Sequence, residues 1–177
     1  IGPIASGSNV YGVINYNGEQ IKSSSSNISD DDSTINFNYS KQGETPEQQQ
    51  SDINNMITGY ASALADALTS GNTNQIELYM YPGSKLNNQQ MGNINSYYKG
   101  NNNFYEKYDS AVVNSYKMDT DGKSGTVDAT EVYDINENYD GTNSQTRTRT
   151  FENIYKFKYN DTTQSYQLTE RTSAVEK

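Results

Sequence analysis

The sequence predicts an α+β protein in which helices come first and an antiparallel sheet follows. Three observations point there. Apolar residues recur at three- and four-residue steps from Ile53 to Leu68, a second such stripe follows a Tyr-Pro-Gly break, and from Phe104 onward the period changes to two. Helices segregated from consecutive antiparallel strands make an α+β domain. The boundaries that follow are a partial all-β segment over residues 1–44 and an α+β domain over residues 45–177.

Within the first segment, Val10 to about Lys22 alternates, and Asn17-Gly18 supplies the positive φ of a two-residue hairpin turn. The polar run Ser23 to Ser33 reads as a loop, with Asp30-Asp31-Asp32 as a solvated acidic stretch. Ile35, Phe37 and Tyr39 then alternate with polar residues as a half-buried strand. Three short strands do not close a core alone. They read as the last strands of a β-domain that begins before Ile1, and the opening Ile1-Gly2-Pro3-Ile4 reads as part of a longer protein.

Thr45-Pro46-Glu47-Gln48 is a helix start, with Thr45 as N-cap, Pro46 in the first turn and Gln48 as the capping-box partner. Ile53, Ile57, Tyr60, Leu64 and Leu68 form the apolar stripe, widened by Met56 and Ala61, and Gly71 ends the helix. A second, short helix is expected over Asn74 to Met80, stopped by Tyr81-Pro82-Gly83. Ser84 caps a third, with Leu86, Met91, Ile94, Tyr97 and Tyr98 inward and Gly100 at its end. Four strands follow in a meander. The first is Tyr105 to Met118. The second carries Val127, Ala129, Glu131, Tyr133 and Ile135 on one face. The third carries Arg147, Arg149, Phe151, Asn153, Tyr155, Phe157 and Tyr159 on one face, and the last runs from Tyr166 to Thr172 with Leu168 inward.

Composition removes much of the functional menu. The 177 residues include no Cys, no His and no Trp, but 16 Tyr. No thiol nucleophile, disulfide framework or thiolate metal site can form, nor a Ser-His-Asp triad or an imidazole zinc ligand. The net charge of -9 and a pI near 4.4 argue against a nucleic-acid partner and against adhesion to anionic lipid. No apolar run approaches the ~20 residues that span a bilayer, so no direct membrane insertion by this segment is expected. A mean hydropathy of -0.97 raises disorder. Only 3 Pro and the strict periodicity of the aromatic residues argue against it. The richness in Asn, Tyr, Ser, Thr and Lys is that of a low-GC Gram-positive surface protein.

The order of one long helix, a small helix before a Tyr-Pro turn, a third helix and four strands resembles the NTF2-like cone fold. The run Ile53 to Gly71, the segment Leu78-Tyr79-Met80-Tyr81-Pro82-Gly83-Ser84 and the helix end Tyr97-Tyr98-Lys99-Gly100 narrow the resemblance. Together they resemble the C-terminal extracytoplasmic region of the TcaA and YvbJ-type Gram-positive membrane proteins. Ile1-Gly2-Pro3-Ile4, Gly18 and Ile35-Asn36-Phe37 resemble the end of the β-domain that precedes it there. The resemblance implies three helices packed on a curved antiparallel sheet. It also implies an extracytoplasmic location on a membrane-anchored protein and a role in cell-wall homeostasis and glycopeptide (teicoplanin) susceptibility. No functional residue is carried over, because no motif marks one.

Several local patterns invite chemistry. Asp119-Thr120-Asp121-Gly122 suggests a calcium loop, but counting from Asp119 puts Lys123, Ser124 and Thr130 where an oxygen ligand, Gly and Glu are required. It is a β-turn. Gly122-Lys123-Ser124 lacks the glycine of a phosphate loop, since Lys117 stands there. The triplets at Asn27, Asn38 and Asn160 match glycosylation acceptors by chance in an Asn-rich chain.

Arg147 and Arg149 share a strand face and suit a carboxylate or phosphate, against the simpler reading of exposed Arg paired with surface acids. Glu131 alternates with apolar residues and so points into the cone. There it is either a desolvated acid–base group or, more simply, the partner of a strand Arg or a Tyr hydroxyl. Tyr60, Tyr97, Tyr98, Tyr133 and Tyr155 either line an aromatic pocket for sugars or peptides or form ordinary core. The candidate pocket is therefore Tyr60, Tyr97, Glu131, Tyr133, Arg147, Arg149 and Tyr155. No catalytic residue, metal or cofactor is expected.

The expected function is a non-enzymatic binding or scaffold module of the cell envelope, its partner a cell-wall component or an envelope protein. Two alternatives stand beside it. One is an NTF2-like enzyme of the dehydratase or isomerase kind, with Glu131 as acid–base and Tyr133 or Tyr155 as donor. The other is a carbohydrate- or peptide-binding adhesin module. The sequence leaves the oligomeric state open.

Overall fold

A computed structural model of the chain describes residues 9–10, 13–16, 19–22, 26–27, 45–99, 105–136 and 145–177. The chain divides into two compact units, Ile1–Gln49 and Gln50–Lys177. In the first, β1 (Asn9–Val10) pairs antiparallel with β4 (Ser26–Asn27), and β2 (Val13–Tyr16) with β3 (Glu19–Lys22). Tyr16 stands opposite Glu19, the spacing that a two-residue connection imposes. Ser26 and Asn27 belong to the run expected to be all loop, but their backbone pairs with Val10 and Asn9. The strand expected over Ile35 to Tyr39 lies outside the described residues.

Helix α1 spans Pro46–Ser70. Its start is a reciprocal capping box: the Gln48 N–H donates to Thr45 Oγ1 (3.2 Å) and the Thr45 N–H donates to Gln48 Oε1 (2.9 Å). Ile53, Ile57, Tyr60, Leu64 and Leu68 are buried along one stripe, with Met56, Ala61 and Ala65 beside it. Gly71 closes the helix at φ 76°, where its N–H donates to the Ala67 carbonyl at 2.8 Å.

The expected three helices are two. The segment predicted as the short second helix makes only a 3₁₀ turn, Ile76–Tyr79. Its far end is pulled out straight: Met80 is extended (φ -112°, ψ 133°) and bridges Leu168, and the Tyr81 N–H donates to the Leu168 carbonyl at 2.9 Å. A chain that must pair with the sheet at Met80 has no room for another helical turn. Helix α2 is Lys85–Lys99, opened by Ser84, whose Oγ accepts from the Asn87 N–H at 3.2 Å. Leu86, Gln90 and Ile94 are buried along it, and Tyr97 is 39% exposed.

Strands β5 (Tyr105–Met118), β6 (Ser124–Asn136), β7 (Thr146–Asn160) and β8 (Ser165–Glu176) form an antiparallel sheet in sequence order. The last strand runs beyond the expected Thr172. On β6 the buried face is Gly125, Val127, Ala129, Glu131, Tyr133 and Ile135, and β7 presents Asn153, Tyr155 and Phe157 beside it. Register shifts interrupt β5 at Asp109 and Asn114, so its inner phase moves from Glu106 and Tyr108 to Ala111 and Val113, then to Tyr116 and Met118. Two more shifts interrupt the β7–β8 pairing. Each extra residue bends its strand and increases the twist, which curves the sheet around the helices. The resulting core joins α1, α2 and the inner sheet face, with Phe157 and Tyr166 edge-on at 5.5 Å.

Gly125 sits where two strands crowd. A Cβ there would lie 2.3 Å from the Lys117 carbonyl oxygen and 2.7 Å from the Phe157 ring. The first obstacle is backbone, which does not rotate away. Gly125→Ala is expected to lower the unfolding free energy by about 1–3 kcal/mol, the usual cost of overpacking, and a urea melt of the variant against the parent checks it.

Candidate functional site

The concave face of the second unit closes over a polar centre that the strand alternation builds. Antiparallel register places β6 and β7 residues directly opposite each other: Tyr133 faces Arg149, Glu131 faces Phe151, Ala129 faces Asn153 and Val127 faces Tyr155. On the other side of β7, Phe151 faces Glu176, Asn153 faces Ala174 and Tyr155 faces Arg171. Side chains of one row share a face, so three charged residues, Glu131, Arg149 and Arg171, converge on the concavity.

Glu131 is 1% exposed. The Tyr133 hydroxyl donates to its Oε2 and the Tyr155 hydroxyl to its Oε1, both at 2.8 Å. Asn153 hydrogen-bonds the same carboxyl, and Arg171 adds a favourable field. Burial pushes the Glu131 carboxyl up, and these four groups oppose the shift. The same burial, with the Glu131 charge next, holds the Tyr133 and Tyr155 hydroxyls well above the usual phenol range, so both remain donors. Behind Tyr155, Tyr60 is fully buried with its ring edge-on at 5.6 Å. The Gln90 Nε2 donates to the Tyr60 hydroxyl at 2.8 Å, and Asn93 Nδ2 donates to Gln90 Oε1 at 3.2 Å.

A cavity of about 230 Å³ opens beside this centre, lined by Leu64 and Leu68 of α1, Gln90, Asn93 and Tyr97 of α2, and Glu106, Glu131, Tyr133, Ile135, Arg149, Phe151, Asn153 and Arg171 of the sheet. Arg149 grips Glu176 with a two-pronged bond, Nε to Oε1 at 2.6 Å, and lies over the Phe151 ring at 5.5 Å. Glu106 is 8% exposed, and its backbone is anchored to the Thr69 hydroxyl of α1. Burial first, then the Glu131 charge, raises its carboxyl to about 7, against the pull of Arg149. Two buried carboxyls at close range do not both ionise easily, and Glu106 is the one that holds its proton near neutrality.

The seven candidate residues separate into three groups. Tyr97, Glu131, Tyr133 and Arg149 line the cavity. Tyr60 and Tyr155 lie beneath it, wholly buried. Arg147 is exposed at the strand end, donating to Gln145 Oε1 at 3.1 Å. Sequence reasoning missed Gln90, Glu106 and Arg171, and it placed Asn153 on the right face without treating it as functional. Gln90 had a visible signal, standing midway between Leu86 and Ile94 in the stripe of α2. Glu106 and Arg171 had none, because each lies next to a register shift that breaks the alternation. The Asp119–Lys123 turn closes on itself: Asp121 Oδ1 accepts the N–H groups of Lys123 and Ser124 at 2.8 and 3.0 Å.

A family described as the TcaA protein NTF2-like domain matches residues 49–172, well over half of the chain. The chain belongs to that family. Its NTF2-like fold also appears in a solved structure, the intermembrane space region of the chloroplast protein ARC6. That match has a TM-score of 0.52 and 13% identity, and it covers 67% of this chain and 92% of that one. At that identity the likeness is one of fold. No curated protein matches the sequence. The TcaA NTF2-like family is not a known enzyme family. Among the described residues, no helix is long and apolar enough to cross a membrane.

Tyr155→Phe removes one of the donors to the buried Glu131 carboxyl. The variant is expected to unfold at lower denaturant, by about 1–3 kcal/mol, as read by guanidinium titration. Glu106 imposes a pH dependence of known sign. Its folded value of about 7 lies above the ordinary 4.5, so its favourable contribution is complete below about pH 4.5. That contribution falls as pH rises and is lost above about 7, a change of about 3 kcal/mol. Glu106→Gln is expected to flatten the stability profile between those pH values, and unfolding curves across pH 4–8.5 check it.

Proposed function

We propose that this chain is a non-enzymatic, extracytoplasmic binding module of a membrane-anchored envelope protein, recognising a cell-wall component or an envelope protein through the cavity on its concave face. Family membership supports the setting. The observation that carries the binding reading is the state of Glu131: both its oxygens accept tyrosine hydroxyls. An acid–base residue needs a lone pair or proton within reach of substrate, and here those positions are already filled. By family resemblance, the role connects to cell-wall homeostasis and glycopeptide susceptibility.

One observation favours a second reading. Glu106, at about 7 in the same cavity, has the protonation range of a general acid–base, which would serve a dehydratase or isomerase. Its surroundings favour binding, since Glu131 and Arg149 are its charged neighbours and one repels the proton-free form while the other attracts it.

The test uses isothermal titration of the chain with soluble peptidoglycan fragments, teichoic acid and wall peptides. Asn93 sits half-buried on the cavity wall, so Asn93→Trp inserts a ring into the opening. The expected outcome is measurable binding by the parent to one of these fractions and at least tenfold weaker binding by Asn93→Trp at unchanged melting temperature. Absence of binding to all three, or equal binding by the plugged variant, overturns the reading.

A further inference from the structure

The cavity carries two groups that its own packing leaves unanswered. Asn153 is 1% exposed, yet its Oδ1 has no hydrogen-bond partner. A buried acceptor without a donor costs free energy comparable to a lost hydrogen bond, and such groups in native proteins call for an explanation. Neighbouring side chains do not reach it, because in register it lies between Ala129 and Ala174. The second group is Arg171, one row along on β8. Its guanidinium acts on Glu131 and Tyr60 only through its field and forms no ion pair among the described residues. Arg149, by contrast, is already held by Glu176.

Resting on the binding-module reading, we propose that the cavity receives a small carboxylic acid with an adjacent N–H donor, the class of N-acylated amino acids. The carboxylate goes to Arg171 and the N–H to Asn153 Oδ1. Spacing supports one solute rather than two. Paired strands lie about 4.8 Å apart and successive inward residues about 6.6 Å along a strand, so adjacent rows are bridged by a molecule of a few bonds. Size agrees: at roughly 30 Å³ per water the space of about 230 Å³ holds roughly seven waters, matching a solute of eight or nine heavy atoms. The remaining wall is apolar, from Leu64, Leu68 and Phe151, and suits an acyl group.

Charge balance adds a signature. An anion entering here meets Glu106, whose carboxyl faces Glu131 on β6 and Arg149 on β7 while Thr69 of α1 holds its backbone. An added negative charge raises the Glu106 carboxyl further, so binding at pH 7–8 takes up part of a proton. Affinity therefore rises as pH falls through that range.

The experiment titrates the ¹⁵N-labelled chain with N-acetylalanine, its methyl ester and propionate, followed by amide shifts and by calorimetry in two buffers of different ionisation enthalpy. The ester lacks the anion and propionate lacks the donor. Expected are shifts centred on residues 131, 153 and 171, at least tenfold weaker binding of both analogues, and a buffer-dependent heat that Glu106→Gln removes. Arg171→Gln is expected to weaken N-acetylalanine at least tenfold. If that variant fails to fold, the ester comparison decides alone. Equal binding of the ester or of propionate, or no binding of N-acetylalanine, overturns the proposal. Binding of N-acetylalanine without binding of any wall fraction sinks the envelope reading and leaves this one standing. Wall fractions that bind through the cavity while the ester matches the acid do the reverse.

Discussion

A carboxyl buried in the middle of the concave face is the constraint that organises this domain. Taking a carboxylate out of water costs several kcal/mol even after relaxation, and Glu131 is 1% exposed. The cost is offset only if its oxygens find donors, and two phenols provide them from different strands, Tyr133 on β6 and Tyr155 on β7. That requirement ties register to chemistry. A one-residue slip between β6 and β7 would turn Tyr155 to the outer face and leave the acid with half its donors. The chain thus gains specificity for one pairing from a residue that contributes little net stability.

The tyrosine usage follows from the same centre. A Phe core would bury equal area without a hydroxyl to reach Glu131 or to accept from Gln90. Tyr60, Tyr133, Tyr155 and Tyr166 are all buried, and the first three have hydroxyls bonded inside the protein. Tyr60 meets Tyr155 edge-on, so α1 docks on the sheet through rings whose polar ends already have partners. In a chain of mean hydropathy -0.97, this lets a sheet with an acidic core residue bury aromatic area without stranding polar atoms.

How much of this was legible follows from where local rules hold without interruption. The capping box at Thr45 and Gln48, the apolar stripe of α1 and the inner faces of β6 and β7 obey short-range periodicity, and those elements read directly. Glu131 could be placed on the inner face because it stands in an unbroken alternation. The short helix before Met80 was misread because a non-local partner, Leu168, straightens its end. Glu106 and Arg171 were invisible for a related reason. β5 and the β7–β8 pair carry register shifts, and each shift resets the phase by one residue, so counting from one end assigns the wrong face at the other. The parts of the site that the sequence hides are those on the curved strands, and the curvature is what makes a cavity rather than a flat wall.

That cavity is left open by side-chain length. Asn153 is flanked in register by Ala129 and Ala174, while the rows on either side carry Phe151 with Glu131 and Tyr155 with Arg171. A larger apolar residue in place of either alanine would fill the space, and an apolar residue in place of Asn153 would remove an unpartnered acceptor at no loss of packing. The arrangement costs stability in three ways: an unanswered carbonyl, an unpaired guanidinium and a second carboxyl, Glu106, raised to about 7. Features that lower stability without improving packing are those expected where a surface is shaped for something other than folding. Catalysis would draw on the same polar groups, but it needs one of them free to exchange protons with a substrate, and Glu131 is locked by hydroxyls that themselves resist ionisation. A locked acid beside unanswered donors and acceptors makes the concave face a recognition surface.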